Sequence, residues 1–328
     1  MKEFRAIIKN YDKFNEIKLA KGLMLSLKQK KERDGKLGKS TEDFGTYWFK
    51  SVKGDVIFKN IKALKFKDIS KMQSFNEILC YNLAKRMGIN CAEYSSATLD
   101  NQVEGIASVN FLKDGEKILP LCDVTSCEKN LDSIMINLRQ KDFLYGSINY
   151  EQIYYSLYTY MIFDLLTYQE DRHMNNISLI QDKDYCLKIA PLYDNEYSFF
   201  VSTFMFGNSN DFESAEEYVD NYFISGGMIT PYQLDKCYGL KGFDFVANQI
   251  IDMAKNDKKC DFLLRKLIKN ADIDAVYADL QNQGYKIDES YEEFTKQIFN
   301  YSRNRLYNLY TKNKLTTQDK ANENEAVK

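Results

Sequence analysis

Two short runs near the start of the chain alternate between the faces of a strand. They are Tyr47-Trp48-Phe49-Lys50 and Asp55-Val56-Ile57-Phe58-Lys59, set on either side of Lys53-Gly54. A period of two broken by a Gly-containing turn predicts a β-hairpin. Over 73–87 the period changes. Phe75, Ile78, Leu79, Leu83 and Met87 recur at helical spacing, and Gly88 suits the residue that closes a helix. Strand-like segments return at 92–99 and 103–111, with a polar turn at Asp100-Asn101 between them. A second turn falls at Asp114-Gly115.

Beyond about residue 128 the pattern is helical. The segment 150–168 is almost wholly apolar and aromatic, with Tyr154, Leu157, Tyr160, Met161, Leu165 and Leu166, which predicts a helix buried on most sides. Further amphipathic helices are expected across 244–312. Upstream of the hairpin, residues 1–40 show a weak helical period at Phe14, Ile17, Ala20 and Met24, and 29–44, with Gly35 and Gly38, read as a loop. The expected fold is α+β in two lobes. Residues 1–115 form a β-rich lobe with one helix, 116–315 form a larger helical lobe, and 316–328, lacking large apolar anchors, form a disordered tail.

Composition narrows the function. The 328 residues are 44% hydrophobic, enough for a sizeable core, and the formal net charge is -2. That balance argues against a globally basic nucleic-acid binder. Seven cysteines form no Cys-x-x-Cys pair, and a single histidine leaves no Cys/His zinc cluster. The cysteine set reads as reduced, which suits the cytoplasm. No run approaches the ~18 apolar residues of a membrane span. The opening residues Met1-Lys2-Glu3-Phe4-Arg5 lack a secretion signal's apolar core, though export by another route stays open.

The one histidine lies in the loop Asp171-Arg172-His173-Met174-Asn175-Asn176. Residues 176–180 then alternate like a strand, 181–184 form a turn, and 185–190 return, followed by Pro191 and Tyr193-Asp194. A tight antiparallel hairpin brings its outer ends together. Asn176 and Asp194 therefore approach one another, with Asp171 at the base of the same loop. Three oxygen-bearing side chains converge, a donor set that suits Mg²⁺. Phosphoryl transfer needs such a set: an Asp to take the hydroxyl proton, and an Asn and a second Asp to hold metal. A lone His without a paired nucleophile fits a hydrolase poorly, so His173 reads as a brace for the loop.

The same chemistry needs a cation on the nucleotide phosphates, held by an acid on a neighbouring helix. Lys59 ends a strand and Glu77 lies on the following helix, although Lys50, Lys53, Lys62 and Lys65 compete for the role. Gly38-Lys39-Ser40 resembles the tail of a P-loop, but Arg33 stands where its first Gly is required, which excludes a Walker ATPase.

Together these stretches resemble the HipA-like serine/threonine kinase family, and more narrowly its short stand-alone members related to the cell-translocating kinase CtkA. Asp171-Arg172-His173-Met174-Asn175-Asn176 is similar to the family's catalytic loop. Ala190-Pro191-Leu192-Tyr193-Asp194 is similar to its metal-binding segment, and the helix carrying Asn76-Glu77 to its first-lobe helix. Residues 47–59 resemble the strand pair carrying the ATP lysine, and 105–111 the strand leading to the hinge.

The resemblance implies a protein-kinase-like fold with ATP and Mg²⁺ in the cleft. Asp171 would be the base, Asn176 and Asp194 the metal ligands, and Lys59, paired with Glu77, the phosphate clamp. It also implies a protein substrate with a Ser or Thr acceptor, an antitoxin or regulatory partner, a role as a bacterial toxin or effector, and autophosphorylation, for which Ser40, Thr41 and Thr46 are candidates. A phosphoinositide kinase and a nucleotide-binding pseudokinase are the competing expectations. The aromatic stretch 197–206 is either core or a docking surface.

Overall fold

The computed structural model describes residues 16–25, 30–31, 46–51, 54–60, 70–125, 131–172, 174–200, 213–224 and 242–326. The predicted hairpin is present as β3 (Thr46–Ser51) and β4 (Gly54–Asn60), paired from Thr46 opposite Lys59 to Ser51 opposite Gly54. It belongs to a six-stranded sheet completed by β1 (Leu23–Leu25), β2 (Lys30–Lys31), β5 (Tyr94–Leu99) and β6 (Val103–Val109), in the order β1-β5-β6-β4-β3-β2. Phe49, Val56, Phe58, Ala97 and Ala107 fill a small core of its own. Gly105 lies opposite Asn60, and a Cβ there would come within 2.4 Å of the Lys59 carbonyl and the Phe58 ring. A side chain at 105 would push the end of β4 away and take Lys59 with it.

The predicted helix is α1 (Ser70–Met87), closed by Gly88 at φ +79, a left-handed conformation that suits Gly. Its apolar face packs inward as expected, but Gln73, Asn76 and Glu77 are buried too. The helix is covered on two sides, since α7 (Lys258–Asn270) and α8 (Ile273–Asn282) also lie against it. Phe75 is ringed by Tyr277, Tyr285 and Tyr291, with centroids 6.1–6.3 Å away.

The weak helical period at the start is corrected in the described part. Ile17 is buried, but 23–25 are strand β1, parallel to β5, and Met24 points outward at 73% exposure. Pairing with a strand some seventy residues later overrides a marginal local propensity. Phe14 lies outside the described residues, as do most of 29–44; within that span Lys30–Lys31 form β2.

The second half is less purely helical than its pattern predicts. Strands β7 (Lys117–Pro120), β8 (Ser147–Ile148), β9 (Ser178–Gln181) and β10 (Cys186–Ile189) form a four-stranded sheet in the order β7-β9-β10-β8. β8, two residues long, is too short for periodicity to reveal, and β7 finds its partner β9 far along the chain. Helices α2 (Leu121–Thr125) and α3 (Leu131–Gln140) lead to the apolar helix α4 (Tyr150–Thr167). Asn149 caps α4 by accepting from Gln152 N at 3.0 Å. Leu157, Ile162, Phe163, Leu165 and Leu166 on it are fully buried, each contributing roughly 1.5–3 kcal/mol of burial.

Around α4 lie α5 (Ala215–Ile224), α6 (Gly242–Asn256), α7, α8 and α9 (Glu289–Ala326). The backbone of 316–326 continues α9, where a disordered tail is expected; its Lys, Gln, Ala and Glu residues favour helix, and no Gly or Pro interrupts it. No helix among the described residues is long and apolar enough to cross a membrane.

Candidate functional site

The two sheets meet beside the predicted site. The backbone of 90–92 exchanges hydrogen bonds with Leu192, Ala92 N to Leu192 O and Leu192 N to Asn90 O, both at 2.8 Å. Tyr193 stacks on Phe111 with centroids 6.2 Å apart. The residue after it, Asp194, is thus carried to the edge of the first sheet, where its N–H donates to Tyr94 Oη at 3.3 Å. Asp194 has φ +61, a left-handed conformation that Asp tolerates better than most side chains. The β9–β10 hairpin forms as predicted, with Ala190 N donating to Ser178 O at 2.9 Å.

Of the two competing lysines among the described residues, Lys59 is the one placed in the site. Its Nζ lies 3.1 Å from Glu77 Oε1, 3.2 Å from Asp194 Oδ1 and 3.3 Å from Glu196 Oε2. Lys50 is exposed, and Lys53, Lys62 and Lys65 lie outside the described residues. Glu77 is fully buried, and its second oxygen accepts from Asn195 N at 2.8 Å. The sequence-predicted residues Lys59, Glu77 and Asp194 are therefore brought together from strand, helix and post-hairpin segment.

Glu196 joins them without having been predicted. Its signal is faint: an acid two positions after Asp194 in a stretch outside any regular element.

Charge in this cluster does not balance. Among the described residues three carboxylates surround one ammonium, a net of about −2 with all groups ionised. Burial alone lowers the Lys59 pKa, but Glu196, Asp194 and Glu77 outweigh it and hold the ammonium well above its ordinary range. Burial pushes Glu77 up to about 7; Asp194 and Glu196 add to the rise, while Lys59 opposes it. Glu196 is also raised, first by burial. The carboxylate oxygens of Glu77, Asp194 and Glu196 lie within 4.8 Å of one another, near enough to share a cation. Hard oxygen donors in charge excess fit Mg²⁺, which takes a few protein ligands and completes its shell with water and phosphate.

The loop end is organised by Arg172, which sequence reasoning left as an ordinary loop residue. It is the largest fully buried side chain among the described residues. Its Nε donates to Asp164 Oδ2 at 3.1 Å, Nη2 to Asn195 Oδ1 at 2.6 Å, and Nη1 to the carbonyls of Tyr193 at 2.5 Å, Asn176 at 3.3 Å and Asp194 at 3.5 Å. One guanidinium nitrogen thus touches the backbone of both residues expected to hold metal.

Gln169 adds a second tie, donating to Asp194 O at 2.9 Å and accepting from Asp171 N at 3.2 Å. The Asn176 amide donates to Asp171 O at 2.9 Å, which leaves its oxygen as the end suited to a cation. His173 lies outside the described residues, as do Ser40 and Thr41; Thr46 opens β3. Of the aromatic stretch, Phe199 and Phe200 are fully buried, Phe200 stacked on Tyr168 at 4.2 Å, so that part belongs to the core.

The fold has known relatives. The chain is similar to the Helicobacter pylori proinflammatory kinase CtkA, with a TM-score of 0.61 at 13% identity, covering 81% of this chain and 93% of that one. It is more loosely similar to Shewanella oneidensis MR-1 HipA, solved with HipB and operator DNA, at a TM-score of 0.41 and 15% identity over 79% of this chain and 57% of that one, a likeness too distant to argue from. No curated protein matches the chain in sequence. The likeness to CtkA establishes a two-lobed kinase-like fold, with the β-rich lobe and the helical lobe meeting at the Lys59 cluster. The pattern of the HipA-like C-terminal domain matches residues 44–220, more than half of the chain and all of the cluster and loop just described. The chain belongs to the HipA-like kinase family and is related to CtkA.

Proposed function

We propose that the protein is an ATP-dependent kinase that transfers the γ-phosphate to a Ser or Thr hydroxyl of a protein. The observation that carries this reading is the Lys59–Glu77 pair closing directly on Asp194. A cation for the phosphates, its orienting acid and a metal-binding acid stand in one cluster, as phosphoryl transfer requires. Family membership and the kinase-like fold support the same reading.

In this mechanism Glu77 keeps Lys59 extended toward the phosphates, and Lys59 neutralises their charge. Asn176 and Asp194 would hold Mg²⁺, which supplies further charge neutralisation on the transferring group when bound. Asp171 orients the acceptor hydroxyl and takes its proton. The hydroxyl oxygen bonds to the γ-phosphorus as the bond to the β–γ bridging oxygen breaks, and ADP leaves. Arg172 and Gln169 fix the backbone of Asp171, Asn176 and Asp194, so positioning is built in before substrate arrives. An antitoxin or regulatory partner, as the family implies, belongs to the same proposal.

Incubation with Mg-ATP followed by mass spectrometry tests the reading on the protein itself and on added protein substrates. New phosphoserine or phosphothreonine is expected with the wild type, and a loss of roughly 10²–10⁴-fold with Asp171→Ala. Equal phosphorylation by both proteins, or phosphorylation of phosphoinositide in place of protein, would overturn it.

A further inference from the structure

An ammonium has three N–H donors. Lys59 faces three carboxylate acceptors, Glu77, Asp194 and Glu196, all within 3.3 Å. Its donors are fully engaged. A nucleotide phosphate can reach that ammonium only by displacing one of the three.

The three are held differently. Glu77 is fully buried and its other oxygen is fixed by the Asn195 backbone N–H. Releasing it would strand a buried carboxylate. Asp194 sits on backbone gripped by Arg172 and Gln169. Glu196 makes the longest of the three contacts, 3.3 Å against 3.2 Å for Asp194. Its side chain keeps 18% of its surface in solvent, less than the 30% of Asp194, but it has one more rotatable bond than Asp194 and its carboxylate is tied to Lys59. Its main chain is anchored, since Asn76 Nδ2 donates to Glu196 O at 3.4 Å and to Ser198 O at 2.8 Å. The side chain can therefore swing toward water while the segment stays in place.

We infer that Glu196 stands in for a nucleotide phosphate on Lys59 and is displaced when the polyphosphate binds. The inference rests on the nucleotide-dependent reading above and deepens it. Glu196 is then a positioning residue. It keeps Lys59 aimed into the cleft when no nucleotide is present, and it competes with phosphate for the same ammonium. Glu77 would remain as the permanent partner. The competition makes a specific demand: Glu196 should oppose ligands that carry phosphate and be indifferent to those that do not.

Calorimetric titration of the full chain with ATP and with adenosine, both in the presence of a chelator, separates these cases. Glu196→Gln keeps the shape and removes the charge. It is expected to bind ATP on the order of tenfold more tightly than the wild type, with adenosine affinity unchanged. Glu196→Asp, which withdraws the carboxylate by one methylene, is the second variant and should shift ATP in the same direction. Unchanged or weaker ATP binding by these variants, with adenosine still bound, would overturn the role of Glu196 and leave the kinase reading standing. Failure of the wild type to bind either ligand would overturn the nucleotide-dependent reading and this inference with it.

Discussion

Two ionic clusters lie side by side in this protein, one buried and one partly exposed, and among the described residues they differ in charge balance. Around Arg172 the guanidinium meets the carboxylate of Asp164, and it also donates to the Asn195 side chain and to backbone carbonyls. Around Lys59 one ammonium meets three carboxylates. The Arg172 pair is neutral and buried, and the Lys59 cluster keeps an excess of negative charge on partly exposed side chains. The first therefore serves as scaffold. The second remains suited to taking up a cation, as the proposed mechanism requires. Neighbouring segments serve both: Arg172 holds the backbone of Tyr193 and Asp194, and Asp194 presents its carboxylate to Lys59.

The largest effect should come from breaking the balanced cluster. Arg172→Met leaves Asp164 buried without its partner and should cost about 3–5 kcal/mol in urea unfolding. Adding Asp164→Leu should recover most of that loss. A single-variant cost below about 1 kcal/mol would show that the pair is not scaffold. Asp194→Asn should have the reverse profile. Transfer should fall by roughly 10²–10³-fold, while the melting temperature holds or rises because the charge excess shrinks. Phosphorylation at the wild-type rate by this variant would remove Asp194 from the mechanism.

The smallest effect is a pH dependence. Glu77 has a folded pKa of about 7 against an ordinary 4.5. The folded state binds this proton more tightly than the unfolded chain, so the associated stability is present below about 4.5 and is lost as pH rises through about 7. Thermal melts should show this decline, and Glu77→Gln should flatten it. Mg²⁺ should raise the melting temperature more at pH 8 than at pH 6, because the cation competes with protons for the cluster. A larger Mg²⁺ effect at pH 6 would contradict the assignment.

Much of this site was legible from the chain, and the limits have physical causes. Lys59, Glu77 and Asp194 fall at predictable points: the end of a strand, the inner face of a helix and the exit of a hairpin. Local pattern brings all three into view, although on its own it leaves Lys59 in competition with neighbouring lysines. Arg172 is different. Its meaning depends on Asp164, the buried charge of the largely apolar α4, whose other acid, Glu151, is exposed at the first turn; a buried charge requires a partner. That requirement was a usable signal, and it went unread beside the more familiar loop residues. Glu196 offered less, because nothing in its own segment announces a carboxylate that reaches Lys59 across the cleft. In the fold, β1 and β7 escaped because their pairings, with β5 and β9, are non-local, and β8 because two residues show no period.

The enclosure of α1 has a consequence for control. Its outer side is packed against α7 and α8, Phe75 sits among three tyrosines, and Tyr291 Oη donates to Asn76 beside Glu77. Kinases commonly govern the lysine–glutamate pair by moving the helix that carries the glutamate. Swinging α1 outward here would peel it off the helical lobe and uncover aromatic surface. The helix is better understood as a fixed wall than as a lever. Any on–off control of this site must then act through parts that can move without unpacking the core.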